Sequence, residues 1–147
     1  IDDANIKKFI IQSGLEALEI QRADTSWIIS GHDSLVIKLN LLNNFFDKIK
    51  KAEIQNVMTH KKEKWAKYNI EDSTGTHLAF IDWNDNTLGY YVFGRSASDY
   101  SRCYVRTNQD STVYLLNENI MYSLQMRPEY WGELKKDDNI ALPPSQE

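Results

Sequence analysis

Residues 77–116, HLAFIDWNDNTLGYYVFGRSASDYSRCYVRTNQDSTVYLL, decide the fold, because they hold four runs of β-forming residues separated by turn-forming ones. The runs are 78–83, 89–93, 102–107 and 112–116. Between them lie Asn84-Asp85-Asn86, then Gly94 with a serine-rich loop, then Asn108-Gln109-Asp110-Ser111. Neighbours joined by loops this short pair antiparallel, so an antiparallel sheet is expected over the second half of the chain.

Upstream, three more short strands are expected, at residues 6–11, 15–20 and 27–30, with a turn at Ser13 and Gly14. Leu18 and Ile20 alternate with Glu19 and Gln21, the period-2 pattern of a sheet wet on one side. Its cover is expected to be a helix capped by Asp33 or Ser34 and running to about Lys51. Leu35, Leu39, Leu42, Phe46 and Ile49 form one apolar stripe, widened by Leu41 and Phe45. Asn40, Asn43, Asn44, Asp47 and Lys51 fill the opposite arc. Two residues fit this helix badly: Ile37 lands on the polar arc and Lys38 on the apolar one.

Residues 53–58 read as a further strand, and 61–68 as a short helix closed by a left-handed Asn69. Asn117 is expected to cap a last short helix through Leu124. The fold class is thus α+β, with antiparallel sheet, one long amphipathic helix packed on a face and one or two short helices. One domain is expected over 1–132, followed by a polar, proline-containing tail over 133–147.

The chain has 147 residues, 41% of them hydrophobic and 26% charged, enough to bury a core without metal or disulfide support. A net charge of −4 repels polyanions, so no nucleic-acid partner is expected. Cys103 stands alone, which excludes an internal disulfide, and alternation puts it on the apolar side of its strand with Val105, as a packed thiol rather than a nucleophile. The sequence holds no run of eighteen apolar residues, and neither a membrane span nor a signal peptide is expected within these residues. A start at Ile1 rather than Met is expected of a piece trimmed from something longer.

A family resemblance rests on Trp27 with the helix after it, Tyr68-Asn69-Ile70-Glu71, Val92-Phe93-Gly94-Arg95, and Tyr104-Val105-Arg106 leading into Val113-Tyr114. Their order and spacing resemble the bacterial domain of unknown function 4340, which tends to have Tyr-Gly-Leu-Asp where this chain has Tyr68-Asn69-Ile70-Glu71. The resemblance carries over no catalytic residues. It implies an extracytoplasmic body held by an N-terminal membrane helix absent from this chain, working beside ABC-type transport components or a neighbouring envelope protein.

Arg102, Tyr104 and Arg106 alternate along one strand, with Tyr114 expected across from them and Arg95 in the preceding loop. These five residues read either as a cationic, aromatic surface for an anionic or sugar-like ligand, or as the solvated face of a sheet. His77, Asp82 and Asp85 invite an acid–base reading, but His77 and Asp82 are an odd number of residues apart and loop polarity explains them better. His32, His60 and His77 lack metal-ligand spacing, and Gly94-Arg95-Ser96 lacks the glycines of a phosphate loop, so no cofactor or metal is expected. Trp83, Tyr90, Tyr91 and Phe93 read as core and cross-strand pairs or as a stacking platform. The function expected is a noncatalytic extracytoplasmic accessory or binding module. Its alternatives are a hydrolase or transferase acting on an envelope polymer through Asp82, Asp85 or Asp99, and a subunit-binding scaffold with an exposed apolar patch.

Overall fold

The computed structural model describes residues 3–107 and 109–135. In chain order the strands and helices are β1 (Ile6–Ser13), β2 (Glu16–Ala23), β3 (Ser26–Ile29), β4 (Leu35–Ile37), α1 (Leu39–Lys51) and β5 (Ile54–Thr59), then β6 (Thr76–Asp82), β7 (Thr87–Arg95), β8 (Cys103–Thr107), β9 (Val113–Leu116), α2 (Pro128–Trp131) and β10 (Gly132–Leu134). Short 3-10 helices fill Asp3–Asn5, Lys62–Tyr68 and Ile120–Ser123. Eight strands make one sheet in the order β3-β2-β1-β6-β7-β8-β9-β5, and every neighbouring pair is antiparallel. Two meanders, β1 to β3 and β6 to β9, therefore join edge to edge through β1 and β6. The α+β class, an antiparallel sheet with one long helix on a face, is the observed architecture.

Turn chemistry sets the hairpins. Gly14 takes a positive φ of 61° at the β1–β2 turn, and Leu15, expected to open β2, is instead fully exposed at its tip. At the β6–β7 turn the Asp82 carboxylate accepts the N–H groups of Asn84 and Asn86 at 2.9 Å each, while Asp85 adopts a left-handed φ of 64°.

The expected helix from Asp33 is shorter than its periodicity implied. Leu35, Val36 and Ile37 form β4, pairing with Leu134, Glu133 and Gly132 of β10, and α1 begins at Leu39. Lys38 is extended, and its N–H donates to Trp131 O at 2.7 Å. This pairing removes both misfits, since Ile37 is buried from a strand and Lys38 lies outside the helix. The β-branched pair Val36 and Ile37 yields to a distant partner strand more readily than to a local helix. Of the segment expected to be a tail, Glu133 and Leu134 belong to β10, and residues 136–147 lie outside the described residues. The last 3-10 helix is capped by Asn119, whose side chain accepts from Met121 N at 3.0 Å, not by Asn117, whose side-chain Oδ1 accepts the N–H of Glu53 at 2.7 Å.

Burial divides the interior into two clusters, one on each face of the sheet. The larger gathers Leu42, Phe45 and Phe46 of α1 against β1, β2, β3 and β6, with Trp131 of α2 closing it. Phe9 is fully buried, with Phe45 at 4.8 Å, Phe46 at 5.7 Å, Trp131 at 5.8 Å and Phe80 at 6.2 Å around its ring. The smaller cluster holds Trp65, Tyr68 and Ile70 against Val92 and Val113 on the opposite face.

Candidate functional site

The five residues expected to share a surface are divided between the two faces. Directly opposed residues of antiparallel strands point the same way, and the register pairs Arg95 with Cys103 and Tyr114 with Val105, but Gly94 and Leu115 with Tyr104. Arg95 and Tyr114 therefore stand on the α1 side, and Tyr104 and Arg106 on the other. Arg95 closes β7 rather than lying in a loop, and its carbonyl accepts from Asn69 Nδ2 at 3.0 Å.

Arg106 was expected to reach water and is instead 1% exposed. Its guanidinium carbon lies 3.8 Å from the Trp65 ring centroid, Nε donates to Ile70 O at 2.8 Å, and Nη2 bonds the Asp72 carboxylate. The 3-10 helix Lys62–Tyr68 makes this lid. Left-handed Asn69 ends it at φ 57°, as expected, and turns residues 69–72 down onto β7 and β8. Tyr104 packs on Tyr68 with ring centroids 4.8 Å apart. Gly94 is needed beneath, because a Cβ there would lie 2.2 Å from Tyr68 O. Three of the segments carrying the family resemblance, 68–71, 92–95 and 104–106, thus meet at one structural clamp, while Trp27 and α1 pack on the other face.

His77 and Tyr90 border that clamp. Asp72 O can only accept, so His77 Nε2–H donates to it at 2.8 Å, and Nδ1 lies 2.6 Å from the Tyr90 hydroxyl. Burial, and next the Asp72 charge, push the Tyr90 phenol above its ordinary pKa. Arg102 lies apart, its Nε 2.6 Å from Asp99 and its Nη1 donating to Gln55 at 2.8 Å. Hydrogen bonds from the Ser101 hydroxyl and amide, with Arg102, hold Asp99 down to about 2.

The three carboxylates of the hydrolytic alternative do not converge. Asp82 and Asp85 flank the β6–β7 turn and Asp99 the β7–β8 loop, at opposite ends of nine-residue β7, about 30 Å of extended chain. None of them lines a cavity described below. Among the described residues no group of three or more His, Cys, Asp and Glu is arranged to hold a metal. Cys103 is fully buried, as expected, and burial pushes its thiol up to about 11. Trp83, Tyr90, Tyr91 and Phe93 form no single platform, since Trp83 sits exposed in the turn and Tyr90 faces away from Tyr91 and Phe93.

One concave feature lies where α1, the 3-10 helix Ile120–Ser123 and the sheet meet. The half of the α1 face formed by β7, β8 and β9 is left partly open as an apolar cleft of about 250 Å³. Tyr91, Val105, Thr107 and Tyr114 line the sheet side, Ile49 comes from α1, and Ile54 of β5 forms the rim. Burial raises the Tyr91 phenol, so this hydroxyl stays a neutral hydrogen-bonding group on an apolar wall. Of the five residues expected to form a ligand surface, only Tyr114 belongs to this cleft; Tyr91 and Phe93, which read from sequence as core and cross-strand pairs or as a stacking platform, line it as well, and Ile54 carries no sequence signal. A second hollow lies between Trp27, Ile28, Leu35, Val36 and Leu39, where Val36 and Leu39 are exposed.

Neither a curated protein nor a solved structure matches the chain. The sequence model of one family, the domain of unknown function (DUF4340), matches residues 27–135, and the chain belongs to that family.

Proposed function

We propose that this chain is a noncatalytic binding module that holds an apolar group of a partner protein in the cleft between α1 and the β7–β9 half of the sheet. The observation that carries the reading is the composition of that cleft: an apolar aromatic floor with few polar groups, the Tyr91, Tyr114 and Thr107 hydroxyls. Such a surface binds by burial and orients by a few hydrogen bonds. The setting belongs to the same proposal and is supported by the family resemblance alone: an accessory domain of a membrane-anchored, extracytoplasmic bacterial protein beside ABC-type transport components. No helix among the described residues is long and apolar enough to cross a membrane.

The test uses the native-length protein in its own cells, with and without Tyr114→Lys, cross-linked and captured from the envelope fraction. Wild type should enrich the neighbouring transport components, and Tyr114→Lys should reduce that enrichment about tenfold or more while the isolated domain keeps its melting temperature. Equal enrichment by both proteins overturns the cleft as the binding surface. Recovery of the native-length protein from the cytosol overturns the location.

A further inference from the structure

Beside the cleft runs a sheet edge. Strand β5 is the last of the eight, and among the described residues no strand pairs with its outer side. Native edges are commonly blunted by charge, proline or bulges. Residues 54–59, Ile-Gln-Asn-Val-Met-Thr, carry neither charge nor proline, and the register against β9 shifts twice, between Ile54 and Asn56 and between Val57 and Thr59. The register sets Ile54 opposite Leu116 and Val57 opposite Tyr114, so both stand on the cleft side, 57% and 50% exposed. An irregularity between Ile54 and Asn56 lets two residues three apart share that face.

Charge collects around this edge. Residues 48–67 contain seven lysines and two glutamates, in a chain whose net charge is −4. Lys51 precedes β5, Lys61 and Lys64 follow it, and all three are exposed with no carboxylate within ion-pair distance among the described residues. A second copy offering the same edge would set lysines against lysines. A strand with acidic flanks would meet the opposite charge at both ends.

We infer that β5 accepts an extended segment of a partner protein as a ninth strand, with acidic residues at both ends of the segment and alternate apolar side chains laid over Ile54, Val57 and the cleft. The inference rests on the binding role proposed for that cleft and specifies its occupant. Main-chain hydrogen bonds to the edge supply affinity, the cleft selects apolar side chains, and the lysines select the flanks.

The probe is a synthetic peptide of alternating valine and threonine, about ten residues long, bearing two glutamates at each end. Its counterpart bears lysines there. The acidic peptide should bind about tenfold or more tightly than the basic one, should weaken in high salt, and should slow amide exchange within residues 54–59. A Lys51→Glu, Lys61→Glu, Lys64→Glu variant should reverse the preference. Equal affinity for the two peptides overturns the inference, as does binding without slowed exchange in β5. Concentration-dependent dimers in sedimentation, with β5 protected in the absence of peptide, overturn it in favour of a second copy. Peptide binding that is lost in Tyr114→Ala yet leaves β5 exchange unchanged removes only the added strand and leaves the cleft reading standing. Indifference of both peptide binding and anilinonaphthalene sulfonate fluorescence to Tyr114→Ala removes the cleft reading as well.

Discussion

Arg106 is a positive charge taken out of water, and its partners differ in what they contribute. The ion pair with Asp72 reaches solvent, because the Asp72 side chain is 83% exposed and is therefore screened. The contacts with Ile70 O and the Trp65 face are the buried ones. Arg106→Leu should therefore destabilise the fold by about 2–4 kcal/mol, chiefly by leaving Ile70 O unsatisfied and removing the cation from Trp65. Asp72→Asn should cost less than about 1 kcal/mol. Urea denaturation of the two variants measures the difference. Asp99 provides a pH test in the opposite setting. Its folded pKa is depressed, so its contribution is present above the ordinary carboxylate value and is lost as pH falls from about 4 through about 2. Carboxyl chemical shifts of Asp99 should titrate in that window. Amide exchange in 99–102 should accelerate there in the wild type, and Asp99→Asn should remove this pH dependence.

At the scale of elements, the clamp formed by Lys62–Tyr68 depends on close approach rather than on its own helical strength. Seven residues of 3-10 helix are too few to be stable alone, and Trp65 and Tyr68 hold them through burial on β7, β8 and β9. Gly94→Ala should force Tyr68 and Asn69 away from β7 and cost about 1–3 kcal/mol, seen as a lower urea midpoint and as increased exposure of Trp65 in fluorescence quenching. The left-handed close at Asn69 was legible because Asn after an apolar-periodic segment is a local signal. The early end of α1's expected span was not. Residues 35–37 fit a helical stripe as well as a strand, and only β10, nearly a hundred residues later, decides between them. The polar arc from Asn40 to Lys51 was read correctly because it lies wholly within α1.

Over the whole molecule, the β4–β10 pair ties the end of the matched region back to its beginning. A chain ending at Gly132 would lose the partners of Val36 and Leu35, and should be less stable than one ending at Lys135 by about 1–2 kcal/mol in urea denaturation. The cleft is also a property of this scale, since its walls come from α1, the 3-10 helix Ile120–Ser123 and the strands β5, β7, β8 and β9, which lie far apart in the chain. Turn residues, strand alternation and the buried Cys103 could be read from the chain, because each depends on neighbours a few positions away. Alternation also sorted β8 into two faces correctly. It could not say that a lid would descend on the Arg106 face, nor that the register would turn Tyr114 away from Tyr104, so Tyr104 and Arg106 lie in a sealed clamp, Tyr114 in an open cleft, and Arg95 and Arg102 in neither. Those outcomes depend on which strands meet and in what register, and that is decided by contacts between segments far apart in the chain.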